Sequence, residues 1–129
     1  MKFVLAVHGA QHNSESGEHA LGFANAVLAE GHTIERIFFY HDGVLQALQT
    51  QVTPQGETNL AAQWQGLAAQ GVELAVCIAS AIKRGVVNEA EQTRYELEHP
   101  TLAHGFELVG LGQLIAAINN ADRYVEFPA

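Results

Sequence analysis

The chain is poor in cysteine, proline and positive charge, and each shortage excludes a class of protein. Its one cysteine, Cys77, has no partner for an internal disulfide, which excludes a disulfide-stapled scaffold and gives no sign of an oxidising compartment. Three prolines and 16% charged residues exclude proline-rich or highly charged disordered chains. Six basic residues against fourteen acidic ones give a net charge of −8, so direct binding to nucleic-acid phosphates is not expected.

Long apolar runs are also missing. No run approaches the roughly 18 apolar residues of a membrane span. The apolar run within residues 1–7 is too short for a secretory leader. We therefore expect a cytoplasmic protein that does not associate with membranes. A length of 129 residues with 48% hydrophobic composition suits one domain, residues 1–129, with a substantial core.

Short apolar runs alternate with helical patterns along the chain. The runs predict strands at residues 2–7, 33–39, 72–78, 106–109 and 123–127. The helical patterns predict helices at residues 19–30, 44–48, 58–70, 88–97 and 111–120, with a single helical turn at 80–85. This alternation indicates an α/β three-layer sandwich whose five-stranded sheet is mostly parallel. We expect the strand order 2-1-3-4-5, the commonest for such a chain, with right-handed crossovers.

Open sheets of this class bind ligands beyond the carboxyl ends of their strands, where the strand order reverses. In the order 2-1-3-4-5 that position lies between the first and third strands. His8 follows the first strand, and Cys77 lies near the end of the third. These two side chains are therefore the first candidates for a functional site.

Cys77 is a candidate nucleophile if its thiol ionises, because the thiolate is the reactive form. Two features favour the thiolate: the amides of the helical turn predicted to begin near Ser80, and the positive charges of Lys83 and Arg84. Two alternatives stay open at this point. A cysteine in an apolar strand is more often a small buried hydrophobe, and Lys83 and Arg84 taken alone are more often solvated surface charges.

Other motifs are weaker. The seven histidines match no zinc-binding spacing, so we predict no metal site and regard most of them as polar loop residues. His8 or His41 is a candidate for holding charge near the thiol. Gly110 and Gly112 open a predicted helix but lack the third glycine of a dinucleotide fingerprint, which favours close packing of helix and strand. No phosphate-binding loop is present, and we predict no cofactor.

Four segments, in matching order, resemble the DsrE/TusD family of sulfur-relay subunits. They read FFYHDGV at residues 38–44, VCIA followed by KRGVV within 76–87, FELVGLGQL at 106–114, and ADR with Val125 and Phe127 at the end. Each segment alone is a weak signal. Together they cover almost the whole chain, and the family's cysteine falls on Cys77.

The resemblance implies a sulfurtransferase that needs no cofactor. Cys77 would accept sulfane sulfur as a persulfide from one carrier protein and relay it to another. The family's subunits assemble into heterohexamers with two copies each of three related chains. In the TusD-like branch, which we favour, the sulfur ends in 2-thiouridine of tRNA and the tRNA is reached through partner proteins. In the DsrE-like branch the complex serves dissimilatory sulfur oxidation.

Two further hypotheses compete with persulfide relay. In the first, the chain is a non-catalytic assembly subunit in which Cys77 is buried and another chain transfers the sulfur. In the second, the histidines bind a small molecule or a metal ion.

Overall fold

The computed structural model describes residues 1–129 and contains five strands, five α-helices and one 3-10 helix. In chain order these are β1 (Lys2–Val7), α1 (Ser16–Ala29), β2 (Thr33–Phe39), the 3-10 helix (His41–Ala47), α2 (Leu60–Ala69), β3 (Glu73–Cys77), α3 (Ile78–Lys83), α4 (Glu89–Arg94), β4 (Phe106–Val109), α5 (Gly112–Asn120) and β5 (Arg123–Phe127). Each strand lies where an apolar run predicted it. None of the helices has both the length and the apolar content needed to cross a bilayer.

The five strands form one sheet in the order β4-β3-β2-β1-β5, and every neighbouring pair is parallel. The predicted α/β class is confirmed. The predicted order 2-1-3-4-5 is wrong, because β1 is paired on both sides: Val4 lies opposite Arg36 of β2 and opposite Tyr124 of β5. No edge of β1 is left for β3, which instead pairs with β2 and β4. An apolar run marks a strand but does not specify its neighbour, so the prediction rested on frequency alone.

The two faces of the sheet are covered differently. On one face, Phe39 of β2 packs edge-on against Trp64 of α2, with ring centroids 5.1 Å apart. Phe3 of β1 packs against Phe23 of α1 in the same way at 5.8 Å. On the other face, Arg36 of β2 reaches α5. We call these the α1/α2 face and the α5 face. Successive strand residues alternate between faces, so the parallel register assigns strand residues to one of them, except at the irregularity around Glu35 of β2.

Local signals account for several helix boundaries. Asn59 and Asn88 cap α2 and α4 by accepting bonds from the backbone amides of Ala62 (3.1 Å) and Glu91 (2.9 Å). The predicted turn capped by Ser80 is placed wrongly. Helix α3 begins two residues earlier at Ile78 and has no side-chain cap, because the backbone leaves β3 directly into the helix.

Candidate active site at the carboxyl end of the sheet

Cys77 is the last residue of β3 and immediately precedes α3. Cys77 pairs with Val109 of β4. Its side chain lies on the α5 face, because Glu73 pairs with Arg36 on that face and Cys77 is four residues, an even number, further along the strand. The residue is only 3% exposed, yet it lines a partly open pocket of about 320 Å³. The pocket is formed by Tyr40, His41, Cys77, Ile78, Ala79, Ser80, Lys83, Arg84 and Leu111. The thiol is therefore shielded but has an opening beside it.

The pocket brings together four of the five residues that the sequence suggested. His41 comes from the exit of β2, while Lys83 and Arg84 come from the end of α3. His8 does not line the pocket. It lies at the exit of β1, where its ring meets the His41 ring edge-on with centroids 5.4 Å apart. Because β2 separates β1 from β3, the site lies at the exits of β2, β3 and β4, and the predicted position between β1 and β3 is wrong.

A tight turn holds His41 at the pocket. Its φ of 51° lies in the left-handed region, which costs energy for a residue with a Cβ. The Tyr40 ring stacks on the imidazole at 4.1 Å. Gly43 follows, and its amide donates to the carbonyl oxygens of Tyr40 (2.9 Å) and His8 (3.1 Å). A Cβ at Gly43 would collide with the Val7 carbonyl oxygen. The turn is thus packed directly onto the end of β1.

The two cations of the pocket are not equivalent. Arg84 donates from Nε to Asp42 Oδ1 at 2.8 Å and from a terminal nitrogen to the Ser80 carbonyl oxygen at 3.1 Å. Its charge is therefore partly compensated by Asp42. Lys83 is exposed and forms no salt bridge. The Lys83 ammonium is therefore a free positive charge beside the pocket, and such a charge attracts anionic reagents.

His8 contributes packing to the site. Burial lowers the pKa of His8 below its ordinary value, the His41 ring lowers it further, and Glu126 acts in the opposite direction. The Nε2 atom of His8 is buried and has no hydrogen-bond partner. A neutral ring that supports His41 is therefore consistent with this geometry, whereas a standing positive charge on His8 is not.

The sequence did not identify the other five pocket residues as site residues: Tyr40, Ile78, Ala79, Ser80 and Leu111. The segment containing Leu111 was interpreted as a close contact between helix and strand and as part of the family resemblance, and neither interpretation placed Leu111 beside the thiol. Its place in the pocket depends on the pairing of Cys77 with Val109, which puts the exit of β4 beside the thiol. No signal in the sequence specifies that pairing.

The histidines do not gather into a metal site. No group of three or more His, Cys, Asp or Glu side chains has the arrangement needed to hold a metal ion. The histidine-rich segment, residues 8–19, forms the link between β1 and α1 and the first turn of that helix. The hypothesis of a histidine metal centre has no geometric support.

Comparison with known proteins identifies the family. The profile of the DsrE/DsrF-like family matches residues 1–127. The chain belongs to this family. The sulfurtransferase TusD of Enterobacter sp. (strain 638) is 44% identical over 128 residues, which is 98% of this chain and all of that protein. The sulfurtransferase TusD homolog of Aliivibrio fischeri (strain ATCC 700601 / ES114) is 41% identical over 124 residues, 95% of each chain.

A solved structure supports the fold. The crystal structure of the ychN protein from E. coli matches with a TM-score of 0.81 and 26% identity, covering 98% of this chain and 99% of that one. The predicted membership in the DsrE/TusD group and the predicted sulfurtransferase activity are confirmed. The chain is thus a sulfurtransferase of the DsrE/DsrF-like family with a role in sulfur relay.

Proposed function

We propose that the chain carries sulfur as a persulfide on Cys77 and relays it to a partner protein, most simply for 2-thiouridine formation in tRNA. The observation that carries the proposal is the pocket at Cys77. The only thiol of the chain ends a central strand beside a partly open pocket that holds an unpaired lysine. A thiol sealed in the core would be unable to meet a donor or an acceptor.

The chemistry requires no net oxidation and no cofactor. The Cys77 thiolate attacks the outer sulfur of a donor persulfide. The donor's S–S bond breaks, its electron pair leaves on the donor thiolate, and Cys77 becomes a persulfide. An acceptor thiolate then attacks the outer sulfur of Cys77, and the Cys77 thiolate leaves. Because the chain has one cysteine, no second thiol is present to discharge the persulfide as an internal disulfide.

The side chains around Cys77 have distinct roles in this scheme. Lys83 supplies a free positive charge that attracts an anionic donor or acceptor to the pocket. Arg84 ties α3 to the 3-10 helix through Asp42, which fixes the width of the pocket. His41, stacked on Tyr40, forms the wall at the exit of β2.

We propose the cytoplasm as the site of action and related subunits as partners, in a heterohexamer of three chains with two copies each. The net charge of −8 favours an arrangement in which tRNA is reached through other proteins. Co-expression with the genes of related subunits, followed by sizing, tests the assembly. A chain that stays monomeric in every such co-expression contradicts the heterohexamer and leaves the chemistry at Cys77 to be judged separately.

Intact mass spectrometry tests persulfide formation directly. After incubation with inorganic polysulfide and removal of excess reagent, the chain should gain one sulfur atom, and a thiol reductant should remove it. Cys77→Ser should show no gain. A wild-type chain that gains no sulfur, or a Cys77→Ser chain that gains as much, contradicts the proposal. In the competing hypothesis of a non-catalytic subunit, native Cys77 would also resist alkylation by iodoacetamide.

The same assay with loaded protein distinguishes the two metabolic branches. A carrier for tRNA thiolation should pass its sulfur to a protein thiol in a fraction that supports 2-thiouridine synthesis. If no sulfur is transferred to that fraction, and sulfur is transferred to proteins of dissimilatory sulfur oxidation, the DsrE-like branch is favoured.

A further inference from the structure

Leu111 lies beside Cys77 but on a different element. Cys77 pairs with Val109, the last residue of β4, and the chain then turns through Gly110 and Leu111 into α5. Leu111 lines the Cys77 pocket and is nevertheless 45% exposed, so one side faces the pocket and the other faces solvent. Leu111 is thus an apolar side chain at the boundary between the pocket and solvent.

A clamp on the α5 face fixes the turn that carries Leu111. One terminal nitrogen of Arg36 donates to both the backbone oxygen and the side-chain Oε1 of Gln113, each at 3.0 Å. Arg36 is itself anchored to Glu73, the first residue of the strand that ends in Cys77. The Arg36 side chain is only 17% exposed, although its bonds to Gln113 lie at the surface. The clamp therefore joins the Leu111 turn to the sheet.

We propose that Leu111 is an apolar guard over the Cys77 pocket and that Arg36 is its positioning residue, acting through Gln113. The guard slows the access of small polar reagents to the sulfur. Its effect on the bare thiol does not depend on the proposed function. Its effect on stored sulfur rests on the persulfide chemistry proposed above.

Small thiols are the reagents that the guard would exclude. A free thiolate attacks the outer sulfur of the Cys77 persulfide and becomes a persulfide itself. The Cys77 thiolate leaves with the electron pair of the broken S–S bond. A bulky apolar side chain at the pocket obstructs this approach and raises the cost of bringing a hydrated anion to the sulfur. The sulfur is then kept for an acceptor that displaces or passes Leu111.

The first test measures alkylation of unloaded Cys77 by iodoacetamide. Leu111→Ala should raise the rate by about threefold or more, and the near-isosteric Leu111→Met should leave it close to wild type. Ile115→Ala is the matched control, since Ile115 is 56% exposed on α5, the helix that follows Leu111, and does not line the pocket. An unchanged rate in Leu111→Ala, or an equal increase in Ile115→Ala, overturns the guard.

The second test is a double-mutant cycle for the clamp. Arg36→Gln should raise the alkylation rate in the wild-type background, and this effect should vanish in the Leu111→Ala background, because a guard already removed cannot be displaced. A general loosening of the fold would act in both backgrounds. An Arg36→Gln effect that persists without Leu111 overturns the positioning role. Gln113→Ala, which removes one of the two bonds, repeats the cycle if Arg36→Gln does not fold.

The third test uses protein loaded with sulfur from inorganic polysulfide and then exposed to 2-mercaptoethanol. Sulfur loss, followed by intact mass, should be about threefold faster in Leu111→Ala than in wild type or Ile115→Ala. Equal loss rates in the three proteins overturn the guarding of stored sulfur. If wild-type protein cannot be loaded at all, the proposed function fails, while the alkylation tests still decide whether Leu111 guards the thiol.

Discussion

The two faces of the sheet differ in the kinds of side chain that they carry. Under α1 and α2 the strands contribute only apolar side chains to the centre of the core: Leu5, Val7, Ile37, Phe39, Leu74 and Val76, each at most 2% exposed. Trp64 completes this face, and its indole nitrogen donates to buried Gln46 Oε1 at 2.8 Å. The α5 face also buries apolar side chains, those of Val4, Ala6, Phe38 and Ala75. It differs in that it carries polar and reactive groups as well: Arg36, Glu73, Tyr124, Glu126 and Cys77.

We infer from this difference that the α1/α2 face mainly stabilises the fold, while the α5 face carries the reactive group. The α1/α2 face excludes water and holds the strands in register. The α5 face stays partly open and keeps polar groups such as Tyr124, whose hydroxyl donates to Glu126 Oε1 at 2.7 Å. Burial and the bond to Glu126 raise the pKa of Tyr124, so the hydroxyl remains a donor. A reactive thiol can be reached only from the open face, while its position is fixed by the closed one.

Truncation of Trp64 gives the largest expected effect. Trp64→Ala removes a fully buried ring and leaves Gln46 without its donor, so the free energy of unfolding should fall by about 3–5 kcal/mol. Tyr124→Phe on the α5 face should cost less than about 1 kcal/mol, because its bond to Glu126 is exposed. Urea denaturation of both variants measures the contrast. Equal losses would mean that the faces share the stabilisation.

A substitution at Gly43 tests how tightly the turn that carries His41 packs against the end of β1. Gly43→Ala places a methyl group against the Val7 carbonyl oxygen, and backbone must move to accept it, at a cost of about 1–3 kcal/mol. The same movement should alter the alkylation rate of Cys77, since His41 lies two residues away. Gly22→Ala on the exposed side of α1 is the matched control and should stabilise by about 0.5–1 kcal/mol. A Gly43→Ala variant with unchanged melting and alkylation would show that this junction is not tight.

Lys83 and Arg84 allow the effect of a free positive charge at the pocket to be compared with that of a paired one. At low salt, Lys83→Ala should lower the ratio of Cys77 alkylation rates for anionic iodoacetate over neutral iodoacetamide by about twofold, because a free ammonium at the pocket attracts an anion. Arg84→Ala should lower this ratio less, since Asp42 already compensates that charge. Rates measured with both reagents at low and high salt decide the order. A larger effect in Arg84→Ala, or none in either variant, would refute this electrostatic account.

The smallest expected effect concerns His8 and the pH dependence of stability. Burial lowers the pKa of His8 in the folded chain. As the pH falls, the unfolded chain therefore binds a proton at His8 at a higher pH than the folded chain does. Stability should therefore decline as the pH drops below the ordinary histidine value of about 6.5. The decline should be shallower in His8→Phe and unchanged in His99→Gln, which alters an exposed loop histidine. Denaturation at pH 7 and pH 5 measures it, and parallel declines in wild type and His8→Phe would contradict this explanation.

The strands were the most predictable part of the fold. Apolar runs such as those of β1 and β2 have the length and β-branched content of buried strands, and those properties are local. Strand order was not predictable, because pairing depends on contacts between distant segments. The β1–β5 pair, for example, joins Phe3 to Arg123. The same limit explains why Leu111 was missed, since only the Cys77–Val109 pairing brings it to the thiol.

Within the site, residue types were easier to predict than their conformations. Cys77, Lys83 and Arg84 lie close together in sequence, so any strand followed by a short helix places them together. The left-handed conformation of His41 and the pairing of Arg84 with Asp42 are results of tertiary packing. No local pattern distinguishes the free cation from the compensated one.

The position of β5 also sets an order of strand pairing. β5 fills the second edge of β1, from Phe3 beside Arg123 to Val7 beside Phe127, although nearly all the other elements lie between the two strands in sequence. Until β5 docks, β1 exposes a row of unpaired backbone amides and carbonyls, which is the kind of edge that other chains can join. Docking of β5 therefore protects the sheet from association with other chains through β1.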